Sequence, residues 1–360
     1  MRSPYSGLPK RAFWRSGVSE RLPSDLGEFY QPRFKITPAM KVATAGSCFA
    51  QHVGRTLRGA GFNVIDAEPA PPKVPQAIAQ KYGFGLYSAR YGNIYTARQL
   101  LQLVREARGR VQPALPVWQR DGRFFDAQRP GLEPLGFDTA TDVMAHRVRH
   151  LVAVRQAFGT ADVIVFTFGL TEAWQHLKTE TVYPTAPGTI AGDFDPAVFG
   201  FRNFTHAEVL ADFTQFRAVM MRRNQHIKFV VTVSPVPPTA TASGQHVEVA
   251  TSYSKSVLRA VCGELVQSFD NVDYFPSYEL ITSQKNAAGF YNETLREVTT
   301  EGVATAMSVF LAAHLGTEAA GKATARGETR QAPGTVPQQT GDEGDADLVC
   351  EDALLEAFLR

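Results

Sequence analysis

Ala45-Gly46-Ser47-Cys48-Phe49-Ala50 puts two nucleophile-bearing side chains where the local pattern changes from strand to helix. Lys41–Ala45 is a short apolar run stopped by Gly46 and reads as a buried strand. Phe49 to Leu57 follows at helical spacing. A serine at such a junction holds its hydroxyl over the sheet edge, and the backbone N–H groups of the first helical turn point at the same spot, available to an oxyanion. Gly46 permits the tight turn. The chemistry this allows is attack of a serine hydroxyl on an acyl carbon; the plainer role for the same residue is a helix N-cap. Cys48 is the rival, since thiols are the better nucleophiles, but one residue further into the helix a small packing role suits it. His52, five residues after Ser47, projects about 140° away at 100° per residue and reads as structural.

The elements that must position this segment alternate along the chain. Gly61–Asp66, Asp162–Phe168, Ile227–Val233 and Val272–Phe275 are further strand candidates; the middle two are continuous apolar runs, as parallel strands covered on both faces require. Helical spacing separates them: Met144, Val148, Leu151 and Val152; Val209 to Met220; Val257–Phe269; and Val303–Leu315. Strand and helix in this order predict a three-layer α/β/α sandwich around a doubly wound, mostly parallel five-stranded sheet, with its ligand crevice beyond the carboxyl ends of the strands. Pro69–Arg98 and Leu177–Phe204 read as long loops that shape or cover a site. Their aromatics (Tyr82, Phe84, Tyr87, Tyr91, Tyr95, Tyr183, Phe201 and Phe204) offer stacking faces for sugars or acyl chains, or core.

This gives four regions. Residues 1–38 form an arm rich in Pro, Gly, Arg and aromatics that packs on the domain, and 39–316 form the α/β domain. Residues 317–347 are a polar low-complexity linker predicted to be disordered. Residues 348–360 (LVCEDALLEAFLR) form a short amphipathic helix candidate, with Leu354, Leu355 and Phe358 on one side, expected to dock onto this or another protein.

Bulk composition excludes several classes. Hydrophobic content of 44% and charged content of 20% describe a globular enzyme. With 37 Lys plus Arg against 35 Asp plus Glu, the net charge of +2 leaves no electrostatic footprint for nucleic acid or a membrane surface. Cys48, Cys262 and Cys350 form no CxxC pair, so neither a disulfide framework nor a structural zinc is expected. Nothing in the sequence asks for a cofactor. Met1–Tyr30 has no continuous apolar core of a secretion signal, and no apolar run approaches a bilayer span, so a cytoplasmic protein is expected.

The string Gly46-Ser47-Cys48-Phe49-Ala50 resembles the motif that names the GSCFA family, a relative of the SGNH/GDSL hydrolases. The resemblance extends in order over roughly residues 40–315. It includes Tyr91-Gly92-Asn93-Ile94-Tyr95-Thr96, Phe168-Gly169-Leu170-Thr171-Glu172-Ala173-Trp174, Val233-Ser234-Pro235-Val236-Pro237, Ser252-Tyr253-Ser254-Lys255-Ser256 and Asp273-Tyr274-Phe275-Pro276-Ser277-Tyr278-Glu279. It implies Ser47 as the nucleophile and a Gly and an Asn from later blocks as oxyanion donors. Gly92 and Asn93 fit those roles, as does a plain Gly-Asn turn. Where SGNH enzymes often carry Gly-x-Asn-Asp, this chain has Gly169-Leu170-Thr171-Glu172. Thr171 thus takes the Asn position as a candidate hydroxyl donor. Glu172, at the Asp position, could orient a histidine or bind substrate, or be a helix-start carboxylate.

The family's late Asp-x-x-His should fall within Phe290–Val303, but Thr294 stands at the Asp position and Glu297 at the His position. A serine needs a base to remove its proton. His246, in the loop after Ile227–Val233, is the first choice; Glu297 is a second, which needs desolvation to work near neutral pH. Lys255 is a weaker option or a partner for a substrate anion. The expected function is an ester hydrolase working through an acyl-enzyme on Ser47, with acylated carbohydrate as a candidate substrate. The alternatives are acyl transfer to a sugar hydroxyl at the same site, or a binding or scaffold protein with a degraded site.

Overall fold

A computed structural model describes residues 3–22, 26, 28–316, 355 and 358. The chain runs β1 (Lys41–Gly46), α1 (Phe49–Gly59), β2 (Asn63–Val64), α2 (Gln76–Lys81), α3 (Ala97–Ala107), β3 (Val117–Arg120), β4 (Arg123–Asp126), α4 (Ala140–Thr160), β5 (Val163–Phe168) and β6 (Glu172–His176). It continues through β7 (Val182–Tyr183), β8 (Phe199–Asn203), α5 (His206–Met221), β9 (Lys228–Val233), α6 (Val247–Ser268), β10 (Val272–Tyr274), α7 (Ser277–Thr282), α8 (Ala287–Phe290) and α9 (Thr300–Leu315).

Five strands form one sheet in the order β10-β9-β5-β1-β2, and every pairing is parallel. The doubly wound sheet expected from the apolar runs is therefore present. The runs look continuous in sequence because both faces are covered, yet the strand period of two still sorts them. Ile164, Phe166, Phe168, Phe229, Val231 and Val233 face a core with α3, α4, α5 and α6. Val42, Val163, Val165 and Val230 face the other core, with α1, α7 and α9. Leu26, Tyr30 and Ile36 of the N-terminal arm join this second face. The Tyr30 hydroxyl and the Arg33 N–H both donate to Asp273 at 2.9 Å. Further out, Tyr5, Phe13 and Trp14 are exposed, and the arm is held there by Lys285, whose ammonium donates to the Val18 and Ser19 carbonyls at 3.0 and 3.1 Å.

The segments read as long loops contain more order than expected: Pro69–Arg98 holds α2, and Leu177–Phe204 holds β7 and β8, which pair with β6 in an antiparallel sheet. Outside both segments, β3 and β4 form a hairpin. Glu172 opens the strand β6 and not a helix, which removes the helix-start role considered for its carboxylate. Trp118, Phe125, Tyr183 and Phe199 pack between these insertions as a small third core. Buried Arg147 of α4 ties them to the main domain: its guanidinium pairs with Asp126 of β4 at 2.9 Å and with Glu106 of α3. The proposed linker 317–347 and the tail 348–360 lie outside the described residues, apart from Leu355 and Phe358. Among the described residues no helix is long and apolar enough to cross a membrane.

Candidate active site at the β1/β5 switch point

In the sheet order, the chain turns from β2 on one side of β1 to β5 on the other. Open α/β sheets form their ligand crevice at such a point, beyond the carboxyl ends of the strands. Ser47 lies there, directly after β1. Gly46 pairs with Thr167 of β5 and has φ +139°; a Cβ on it would lie 2.4 Å from the Thr167 carbonyl oxygen. Only glycine lets β1 come this close before the chain turns into α1. The Ser47 N–H donates to that same Thr167 carbonyl at 3.1 Å. This narrows the first-turn donors the sequence suggested. Ala50 and Gln51 N–H groups donate to Ser47 and Cys48 carbonyls, so Cys48 and Phe49 are left as the backbone N–H pair with no such bond among the described residues.

Ser47 is 3% exposed, and its Oγ has no hydrogen-bond partner among the described residues. A buried hydroxyl left in that state costs free energy, so its retention asks for a reason. The surroundings are closely fitted. A Cβ on Gly169, just beyond β5, would lie 2.9 Å from Ser47 Cβ and 3.2 Å from Tyr95 Cδ1. Tyr95 is fixed in turn, because its carbonyl accepts the N–H groups of both Gly169 and Leu170 at 3.0 Å.

The Gly92–Asn93 segment is brought to Ser47. Gly92 has φ +69°, and Ile94 N–H donates to the Gly46 carbonyl at 2.8 Å, tying the loop to the end of β1. The Tyr87 hydroxyl stands between Ser47 and Asn93: it lies 3.1 Å from the Ser47 carbonyl and 2.5 Å from Asn93 Oδ1. The Asn93 carbonyl accepts from Gln99 Nε2 at 2.9 Å. With Oδ1 committed to Tyr87, the amide presents its NH2 as the donor end. In the sequence Tyr87 is only one aromatic among ten in the long loops, and no spacing rule singles it out.

Thr171 is also near the carboxyl end of β5, but its groups are committed. Its N–H donates to Ser254 Oγ at 3.0 Å and its hydroxyl to Asn203 Oδ1 at 2.7 Å, which anchors β8 and α6. It is not placed as an oxyanion donor. Lys255, buried on α6, donates to the carbonyls of Gly169 at 2.8 Å and Val236 at 2.7 Å, one contact away from Ser47 through Gly169. Glu172 accepts from the Thr241 hydroxyl at 2.7 Å. Burial pushes its carboxyl up from the usual range, against the Thr241 and Ala242 hydrogen bonds.

Neither His246 nor Glu297 is hydrogen-bonded to the Ser47 hydroxyl. His246 is the N-cap of α6; its Nδ1 accepts the Glu248 N–H at 3.2 Å, and its side chain is 68% exposed. At 1.5 Å per residue it stands about 13 Å along the helix from Lys255. Glu297 is exposed and accepts from Asn292 Nδ2 at 2.8 Å, in a small loop closed by the Tyr291–Val298 bridge. Both follow strands of the central sheet, as the sequence order requires, but which way their side chains turn is not written in the local sequence. Cys48 and His52 are buried, and the His52 ring packs edge-on against Phe49 with centroids 5.5 Å apart. No cluster of His, Cys, Asp and Glu able to hold a metal occurs among the described residues.

The model of the GSCFA family matches residues 41–310, three quarters of the sequence. The chain belongs to the GSCFA family. No curated protein matches it. Two solved structures are similar to this GSCFA chain at 11% identity, covering 79% of it and 99% of their own lengths. One is a carbohydrate esterase family 3 protein from Talaromyces cellulolyticus, with a TM-score of 0.34; the other is a mutant acetyl esterase with an acetate ion, at 0.31.

Proposed function

We propose that this GSCFA protein is a serine-nucleophile ester hydrolase acting through an acyl-enzyme on Ser47, with an acylated carbohydrate as the candidate substrate class. The observation that carries the reading is the buried, unpartnered Ser47 hydroxyl at the switch point, between Gly169 and the Tyr87–Asn93 pair. In the first half-reaction Ser47 Oγ bonds to the acyl carbon, its proton passes to a base, and the alcohol leaves with a proton. Water then adds to the acyl-enzyme, releasing the carboxylic acid and restoring Ser47. The Asn93 amide and the Cys48 and Phe49 N–H groups are the donors for the oxyanion. A sugar hydroxyl in place of water would make the same site an acyltransferase.

A second reading, a binding protein built on a degraded site, is favoured by the absence among the described residues of any base hydrogen-bonded to Ser47. A fluorophosphonate probe separates the two. Wild type should be labelled and Ser47→Ala should not; unlabelled wild type at every pH between about 5 and 10 refutes the nucleophile. The pH profile identifies the base. A pH dependence that disappears in His246→Ala assigns it to His246; loss in Glu297→Ala or Lys255→Met assigns it to those groups.

A further inference from the structure

Next to Ser47, across Tyr95 and Leu170, lies an apolar cavity of about 180 Å3. Trp174 and Phe201 of the small antiparallel sheet, with Pro184 and Pro238, form its sides. Of its polar members, Glu172 and Thr241 hydrogen-bond to each other, while the buried Thr185 Oγ1, with no partner among the described residues, leaves one polar point in an otherwise apolar wall. One wall comes from far along the chain: Leu355, partly buried. Leu355 also borders an outer groove of about 440 Å3, which it shares with Phe194, Thr239, Ala240 and the exposed Phe358. It therefore stands between the inner cavity and the outside.

Size and polarity select the ligand. An apolar cavity of roughly 150 Å3 holds a benzene molecule, so this one accepts an aromatic or branched group well beyond an acetyl. Its shared border with Tyr95, which touches the Ser47–Gly169 contact, puts such a group beside the nucleophile. We infer that this cavity is the subsite for an apolar acyl group of benzoyl size and that Leu355 completes it as a specificity-determining residue. The inference rests on the ester-processing reading of Ser47.

The test uses the full chain, wild type and the variants Leu355→Asp and Leu355→Trp, with p-nitrophenyl acetate and benzoate. Leu355→Asp should raise KM for the benzoate on the order of tenfold, a loss of one to two buried methylene equivalents. The acetate should change less than about twofold, since an acetyl does not need that wall. Leu355→Trp should also discriminate against the benzoate, by narrowing the cavity. An unchanged benzoate KM in Leu355→Asp overturns the inference; a lowered one does too, because Leu355 would then compete for the site and not complete it. If no form hydrolyses any ester, the functional reading fails, and a binding experiment decides the subsite by itself. Fluorobenzene followed by 19F NMR should bind saturably to wild type and several-fold more weakly to Leu355→Asp. Absent binding to wild type, or undiminished binding to the variant, overturns the subsite.

Discussion

Gly169→Ala tests whether the close fit around Ser47 serves chemistry or only packing. The added Cβ would sit 2.9 Å from Ser47 Cβ, with Tyr95 Cδ1 at 3.2 Å and Tyr95 Cα at 3.3 Å on the other side. Carbon atoms rest about 3.5–4.0 Å apart, so roughly 0.6–1 Å must be found. The new methyl cannot lean away from Ser47 without meeting Tyr95, whose backbone carbonyl is held by Gly169 and Leu170. Gly169 has no positive φ, so the cost is one of space and not of backbone strain. Overpacking of this kind costs about 1–3 kcal/mol, and at roughly 2–4 °C per kcal/mol Tm should fall by several degrees. A displacement near 1 Å costs a reacting group about 100-fold, so fluorophosphonate labelling of Ser47 should slow by about 10- to 100-fold in protein that remains folded. Gly159→Ala is the control: it lies in α4 with nothing within 4 Å of the new Cβ. It should stabilise by about 0.5 kcal/mol and leave labelling alone. Folded Gly169→Ala labelled at the wild-type rate would refute the claim that this contact sets the serine's position.

Tyr87→Phe removes the hydroxyl that lies against both the Ser47 carbonyl and Asn93 Oδ1. It should cost about 1–2 kcal/mol by urea unfolding and slow labelling by more than the stability loss explains, because Asn93 is no longer oriented. Arg147→Met leaves the Glu106 and Asp126 carboxylates buried without their shared cation, and should cost about 3–5 kcal/mol in the same assay. His150 gives a pH dependence. Burial, with Arg129 and Arg147 nearby, pushes its pKa down to about 4, against the opposing pull of Glu68. The unfolded chain takes up this proton near 6.5 while the folded state refuses it until about 4, so acid favours unfolding in that window. Between about pH 7.5 and 5 this group alone should remove about 2 kcal/mol. His150→Asn keeps a donor toward Glu68 and should abolish that slope; an unchanged slope places the titrating group elsewhere.

The central strands β1, β5 and β9 were legible because burial on both faces writes itself as dense apolar runs, and Ser47 was legible because a strand, a glycine and a helix start are all local. The parts that failed to show are those whose logic is not local. β6 reads Glu-Ala-Trp-Gln-His, half-buried at every position, so it carries no two-residue alternation and passes for a helix start. β7 is two residues long. The hairpin β3–β4 did carry a signal: Asp121-Gly122 with φ +50° and +74° is the turn that such hairpins favour, and it stood in the sequence. Nothing comparable marks Gly169 or Tyr87. Each matters through an atom meeting a residue far away in the chain, and such a meeting exists only once the fold has brought the end of β1 against its neighbours.

That dependence bears on the base that the chain lacks where the SGNH pattern places a histidine. In the proposed reading the nucleophile lies in the loop after β1, whereas the candidate bases lie in segments after β9 and β10. The segment after β10 carries Glu297, turned to solvent. The loop after β9 leads to His246, spent on capping α6. What the β5 loop contributes is steric, through Gly169, and through its carbonyl it holds the buried ammonium of Lys255. The pH profile of Ser47 labelling therefore distinguishes more than residues. A profile lost in His246→Ala requires the β9 loop to rearrange, since the exposed His246 side chain is spent on capping α6. A profile that survives both His246→Ala and Glu297→Ala but is lost in Lys255→Met points to the ammonium held on the Gly169 and Val236 carbonyls, which must give up a proton to serve as a base.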